Sequence, residues 1–289
     1  MAPTRFGDFS KKGADVFSND YSFDRKFKWT TRSAAGVTFT NEATLKPKKL
    51  DGKFTAKWSP AEGLFVDKLS ISSEGRIAGE ATLKNALVRN SVSSDLVVRV
   101  QDGANQAPQG ELEVKFSGDK FTLDVTTDVV SGPTIVATSS FQLPNSVLLG
   151  ASVKVNTKLD DASGASPEVK DFNLAASYTK NDVIASFATK CKLSEGTFTL
   201  HNNYNKSTTL AAQVTLGATK GELKSMQVGA IHQLDADTKL QTKVDNKGVI
   251  SANYILQVKP DVKAIASVQV DALNFAGDAH KLGLSLILG

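Results

Sequence analysis

His280-Lys-Leu-Gly-Leu-Ser-Leu-Ile-Leu-Gly289 closes the chain with Leu282, Leu284, Leu286 and Leu288 on one parity and Lys281, Gly283 and Ser285 on the other. Strand side chains point to opposite faces with period two, so this segment is apolar on one side and polar on the other. The same alternation runs from about Phe23 to Leu288, in short runs broken by Gly, Pro, Asn, Asp or Ser. A chain that is two-faced over its whole length needs an apolar and a polar environment side by side. A closed barrel in a membrane, with a wet lumen, supplies both. The predicted fold is therefore all-β, a transmembrane β-barrel.

The alternating runs fall at 24–32, 36–44, 52–58, 63–71, 76–84, 91–101, 109–117, 120–130, 134–143, 146–159, 170–179, 182–193, 196–204, 208–218, 225–234, 238–245, 249–258, 262–272 and 280–288, which makes nineteen. Length alone accommodates eighteen nearly as well. Turn residues separate the runs, as in Ser117-Gly118-Asp119, Pro144-Asn145, Asn246-Lys247-Gly248 and Lys259-Pro260-Asp261. The longest connection, Asp160 to Glu168, is rich in Asp, Ala, Ser and Gly. No Pro/Gly/Ser-rich or charge-block linker divides the chain, which predicts one unit after a short leading segment: residues 1–22 as helix and linker, 23–289 as barrel.

Bulk properties fit this reading. The 289 residues are 40% hydrophobic, and the mean hydropathy is −0.17. Such values look soluble, but a barrel strand shows only alternate residues to lipid, so its hydropathy signal is weak. The most apolar stretch, Val147 to Val155, already contains Gly150, Ser152 and Lys154. Nothing approaches the ~20 apolar residues of a spanning helix. The N-terminal residues show no apolar core of a secretory signal, an expectation against export by that route. The formal charge is +4 and the isoelectric point about 8.9. Its lysines are mostly dispersed singly, which points to a wet face and not to a nucleic-acid patch, and no nucleic-acid motif accompanies them.

Catalytic constellations are missing from the pattern. His201, His232 and His280 sit on separate runs without metal-ligand spacing, and the lone Cys191 can form no internal disulfide. Gly217-Ala-Thr-Lys-Gly221 lacks the phosphate-loop spacing. The expectation is a protein that is not an enzyme and takes no cofactor and no metal.

The leading segment differs in kind. Phe6, Phe9, Gly13, Val16 and Phe17 recur at helical spacing, with Asp8, Lys11, Lys12 and Asp15 opposite. This predicts one amphipathic helix over 4–17. It is too short to stand alone in water and must lean on something, such as the inside of a pore.

Parity assigns Lys26, Lys28, Lys53, Lys57, Arg99, Lys154, Lys158, Lys190, Lys192, Lys239, Lys243, Lys263 and Lys281 to polar faces, with fewer acids, among them Glu42, Glu80, Asp124 and Asp128. If those faces line a lumen, its field favours anions. Asp67 shares parity with Phe65, Leu69 and Ile71, which predicts a carboxylate on the apolar side. Trp29 and Trp58 share faces with Phe27 and Phe54, fitting an aromatic girdle or ordinary wall packing.

Two segments resemble a known family. His232-Gln-Leu-Asp-Ala-Asp-Thr-Lys-Leu-Gln-Thr-Lys-Val-Asp-Asn246, followed by Ser251-Ala-Asn-Tyr254, is similar to the signature region of the eukaryotic mitochondrial porins, the voltage-dependent anion channels. Gly277-Asp-Ala-His-Lys-Leu-Gly-Leu-Ser-Leu-Ile-Leu288 resembles their last strand and fits the mitochondrial sorting pattern through Lys281, Gly283, Leu286 and Leu288. The start, Asp8 to Phe17 running into Asp20 to Lys28, resembles the family's N-terminal helix and first strand.

The resemblance implies nineteen strands with the first and last parallel, and the helix in the lumen. It also implies a place in the mitochondrial outer membrane, where the pore would pass ATP, ADP, phosphate and other metabolite anions and close partially under voltage. Lys11, Lys12, Asp8 and Asp15 would then form the charged face of a gating helix. Membrane lipids and sterols, a homo-oligomer and outer-membrane docking proteins are the implied partners, with no nucleic acid. Asp67 falls near where many members carry a lipid-facing Glu. Two departures stand out: Asn19-Asp20-Tyr21-Ser22 lacks the Gly-rich hinge of animal members, and no Gly-Leu-Lys element is evident near Asn85–Asn90. The competing reading within the same fold is the protein-conducting channel of the outer-membrane translocase. That family usually has a longer N-terminal extension and a more acidic lumen. A soluble β-sandwich fits poorly with so many short strands and short turns.

Overall fold

A computed structural model describes residues 2–89, 92–103, 106–130, 134–157, 167–218, 221–277 and 280–289. After a single 3-10 turn at Phe6–Asp8 comes the helix α1 (Lys11–Ser18). The strands follow in order: β1 (Arg25–Arg32), β2 (Thr38–Lys46), β3 (Lys49–Ala61), β4 (Leu64–Ser72), β5 (Ile77–Arg89), β6 (Val92–Gly103) and β7 (Gln106–Ser117). Next are β8 (Phe121–Asp128), β9 (Thr134–Leu143), β10 (Val147–Asn156), β11 (Glu168–Lys180), β12 (Val183–Lys190) and β13 (Glu195–Asn203). The last are β14 (Thr208–Gly217), β15 (Leu223–Gln233), β16 (Thr238–Asp245), β17 (Val249–Lys259), β18 (Val262–Asp271) and β19 (Lys281–Leu288).

All 19 strands form one sheet in which each pairs with its neighbours in sequence, and β1 pairs with β19 to close it. Consecutive strands are antiparallel. An odd number of alternating strands leaves the first and last running the same way, so the closing pair is parallel, from Arg25 opposite Leu284 to Trp29 opposite Leu288. Closure removes every free strand edge, the condition for a sheet to cross a bilayer.

The wall is inside-out relative to a soluble protein. Leu282, Leu284, Val100 and Ile71 are exposed on the outer face, while Asn253, Ser251, Thr199, Gln241 and Ser140 are buried on the inner one. A contiguous apolar exterior of this extent marks a surface made for lipid.

Two local differences from the periodicity have clear causes. The predicted helix over 4–17 is split: the 3-10 turn ends at Asp8, and Ser10, with φ −100° and ψ 2°, separates it from α1. The run over 182–193 stops at Lys190, because Cys191, Lys192 and Leu193 all adopt positive φ and turn the chain back. Lys192, expected on a strand face, therefore lies in a turn.

Glycines seat the N-terminal segment against the inner wall. A Cβ on Gly150 would come within 2.7 Å of the Phe6 ring, and one on Gly229 within 3.0 Å of the Phe17 ring. A Cβ on Gly13 would collide with the Thr199 methyl group, and one on Gly283 with the Ser22 carbonyl oxygen, where the chain passes toward β1. Phe9 packs with Leu148 and Ala175, while Val16 and Phe17 pack with Ala211. The helix thus lies inside the barrel against β13 to β16.

Candidate functional site

The lumen wall is the candidate site, and the helix identifies which face of each strand belongs to it. Gly13 lies on Thr199 and His201, so the odd positions of β13 face inward. Following the register from strand to strand carries this assignment around the barrel.

On the inner face Lys26 and Lys28 of β1 reach Glu42 at 3.8 and 3.5 Å. Glu42 stands opposite Lys28 on one side and Lys53 on the other, and Thr38 stands opposite Lys57. Three cations from two strands thus gather around one carboxylate, with Lys57 further along the same face. Lys239 and Lys243 of β16, Lys263 of β18 and Lys281 of β19 extend this basic wall across the seam. Lys53, Lys57, Lys239 and Lys281 have no ion-pair partner among the described residues. Lys154 faces inward on β10, opposite Asp171, and Lys190 faces inward on β12, opposite Glu195. Lys158 lies outside the described residues.

The opposite wall, β5 to β9, carries a dense network. Arg99 reaches Glu113 at 2.6 Å, Glu80 at 3.0 Å and Glu111 at 3.8 Å. Lys115 adds a bond to Glu113 at 3.3 Å, and Arg5 pairs with Asp124 and donates to the Ser117 hydroxyl at 2.8 Å. Arg99, singled out from sequence as an anion-attracting charge, is thus enclosed by three glutamates. The sequence pattern showed dispersed lysines and scattered acids; the fold collects the acids on one side.

The N-terminal segment is held at both ends. Ser140 donates to the Thr4 carbonyl at 2.8 Å. At the other end, Gln241 donates to the Val16 carbonyl at 2.8 Å and Lys243 to the Phe17 carbonyl at 2.6 Å. These carbonyls belong to the last turn of α1, where no intrahelical donor remains and a cation suits the helix dipole. The Lys243 ammonium also sits 4.1 Å from the centre of the Tyr21 ring. Lys263 binds the Asp20 carboxylate at 3.0 Å. Burial disfavours the Tyr21 phenolate and pushes the phenol's pKa well above its ordinary range. On the open side of α1, Lys11 pairs with Asp8 at 3.2 Å, while Lys12 and Asp15 border a crevice toward His201 and Lys239.

Sequence reading missed Arg5, Asp20 and Gln241. Each acts on a partner far away in the chain, and no local signal marks such pairs.

Asp67 corrects the parity expectation. Between Ala56 opposite Leu69 and Trp58 opposite Val66, β4 carries one extra residue. On the other side Lys68 stands opposite Glu80, and Val66 opposite Ala81, so Asp67 is the bulged residue. Its carboxylate accepts a hydrogen bond from Thr82, whose neighbours in the ladder place it on the inner face. The bulge resets the parity: Leu69 and Ile71 remain outside, while Asp67 turns inward.

A closed, odd-stranded barrel with a polar inner wall and an internal helix defines a class, the membrane channels built from β-strands. Comparison with known proteins gives the family. Residues 2–283 match the family model described as eukaryotic porin, and the chain belongs to that family. It is 26% identical to mitochondrial outer membrane protein porin 3 of Arabidopsis thaliana, covering 99% of this chain and 98% of that one. It is 24% identical to the non-selective voltage-gated ion channel VDAC3 of Sus scrofa, over 97% and 96% of the two chains. Among solved structures, a mutant Rhodopseudomonas blastica porin superposes with a TM-score of 0.51 at 12% identity, covering 85% of this chain and 96% of the other, a likeness of fold. The protein is one of the mitochondrial outer membrane.

Proposed function

We propose that this porin is a voltage-gated, weakly anion-selective diffusion pore for ATP, ADP, phosphate and small metabolites. The observation that carries the reading is the basic wall of β1 to β3 and β16 to β19, with unpaired Lys53, Lys57, Lys239 and Lys281. Unpaired charges act at long range, whereas paired charges fall off as dipoles, so the basic wall dominates the field in the lumen. A lumen closed by so many strands is wide enough for hydrated ions, so selectivity rests on this field and not on dehydration. It weakens as salt shortens the screening length. No step of covalent chemistry is involved.

The test is conductance of the refolded protein in a planar bilayer, under a salt gradient and a voltage ramp. The reading expects a large, weakly anion-selective conductance that falls at both polarities. Cation preference with block by basic presequence peptides would overturn it in favour of a protein-conducting channel.

A further inference from the structure

The outer surface carries an amphiphilic crevice at the barrel's closing seam. Its apolar part, about 260 Å³, is walled by Phe27, Leu45, Leu50, Leu284 and Leu286 over Ala43. Ala43 stands between Phe27 of β1 and Gly52 of β3 in the ladder. A methyl group beside a residue with no side chain leaves a depression between the larger neighbours. Toward the rim the crevice continues into a second one of about 340 Å³, lined by Phe23, Asp24, Lys46 and Leu282. Arg25 and Leu45 border both parts.

Arg25 is the unusual element. The register places it between Leu284 and Leu45 on the outer face, where the next outward residues of β1 are Phe27 and Trp29. It is exposed and has no ion-pair partner among the described residues. As the first residue of β1 it lies close to the rim, beside the turn through Pro47 and Lys48. A guanidinium at the edge of the hydrocarbon layer is stable when it meets an anion there, and its planar fork suits a phosphate.

We propose that this seam binds one anionic phospholipid, its phosphate held by Arg25 and an acyl chain seated over Ala43. The inference needs the barrel to lie in a bilayer and is independent of what passes through the lumen.

The chain has 2 tryptophans, which makes a direct test available. Trp29 stands opposite Leu288 on the outer face, along the path of the seated chain. Trp58 lies on β3 near its far end. The W58F protein is reconstituted in phosphatidylcholine vesicles containing a minor fraction of phosphatidylglycerol, with mid-chain bromines placed on one lipid or the other. Brominated phosphatidylglycerol is expected to quench Trp29 with a relative binding constant roughly fivefold above phosphatidylcholine, the factor for one basic side chain near a membrane surface. R25Q brings the ratio close to one, and R25K keeps most of the preference. In the W29F protein Trp58 reads a ratio near one throughout. Equal quenching by both lipids in the Arg25 protein, as a second copy covering the seam would give, overturns the proposal. So does a preference that survives in R25Q or is read equally by Trp58.

Discussion

The two sides of the lumen use the same residue types in opposite ways. On β1 to β3 lysines outnumber their partners: Glu42 is shared by Lys26 and Lys28, Lys53 stands beside it without an ion pair among the described residues, and Lys57 does likewise further along the same face. On β5 to β9 the cations are outnumbered: Arg99 is divided among Glu80, Glu111 and Glu113, and Lys115 joins at Glu113. The first arrangement leaves net positive charge facing the lumen; the second holds its cations in pairs, keeps an excess of acids and stiffens the wall. The modest net charge of the chain conceals this separation. A formal +4 spread evenly would make a weak field everywhere. Sorted by strand, it makes one wall that attracts anions and another whose cations are held by a surplus of acids.

Charge reversal on the basic wall is the strongest way to break this comparison. The triple variant K28E, K53E and K57E is expected to move the reversal potential in a salt gradient from the anion to the cation side. Adding K281E should deepen the effect. Unchanged selectivity would mean that these side chains do not control the lumen field.

The paired wall predicts a different outcome. In R99Q the loss is mainly one of stability, because Glu80 and Glu113 lose their shared partner. Arg99 is only part-buried, so the expected cost is about 1–2 kcal/mol, read from the urea midpoint of the reconstituted protein. Its selectivity shift should be smaller than that of the triple variant. A larger shift would show that the network leaves Arg99 electrostatically free.

Where the helix meets the basic wall, the effect is local. Replacing Lys243 by Met and Gln241 by Leu removes the donors to the Phe17 and Val16 carbonyls. Amide exchange over Val16 to Asn19 is expected to speed up about tenfold, as for the loss of a charged hydrogen bond. Unchanged protection would mean that the packing of Phe17 on Gly229 holds the helix alone.

The smallest effect is in pH. Burial raises the Tyr21 phenol above its ordinary value, so at high pH an unseated linker loses a proton that the seated one retains. Seating is therefore unaffected below about pH 10 and weakens as pH rises above the free phenol's value. Y21F should remove that part of the alkaline loss, measured by protease access to the N-terminal segment. An identical alkaline profile in Y21F would assign the loss to the lysines instead.

Alternation made the barrel readable. Leu282, Leu284, Leu286 and Leu288 against Lys281 and Ser285 needed only the geometry of an extended chain, because a period of two is a local property. The turns between runs were legible for the same reason, and so was the helical spacing of Phe9, Gly13, Val16 and Phe17. Counting gave nineteen runs while length alone accommodated eighteen nearly as well, and the parallel seam was implied by the family resemblance; it follows once the strand number is odd. Local rules also failed locally. One extra residue in β4 turned Asp67 from the outer face to the hydroxyl of Thr82, and parity has no means of foreseeing a bulge.

What the sequence by itself determined is which residues are wet and which are greasy, and therefore the closed β-barrel. Which charges meet was decided only by the tertiary structure: Arg99 with three glutamates, Lys263 with Asp20, Lys243 with the end of the helix. The reason is physical. Facing in or out depends on a residue and its immediate neighbours. Ion pairing across a barrel depends on strand register and on where the N-terminal segment comes to rest. In this chain that segment reaches partners more than two hundred residues away, as Val16 does at Gln241.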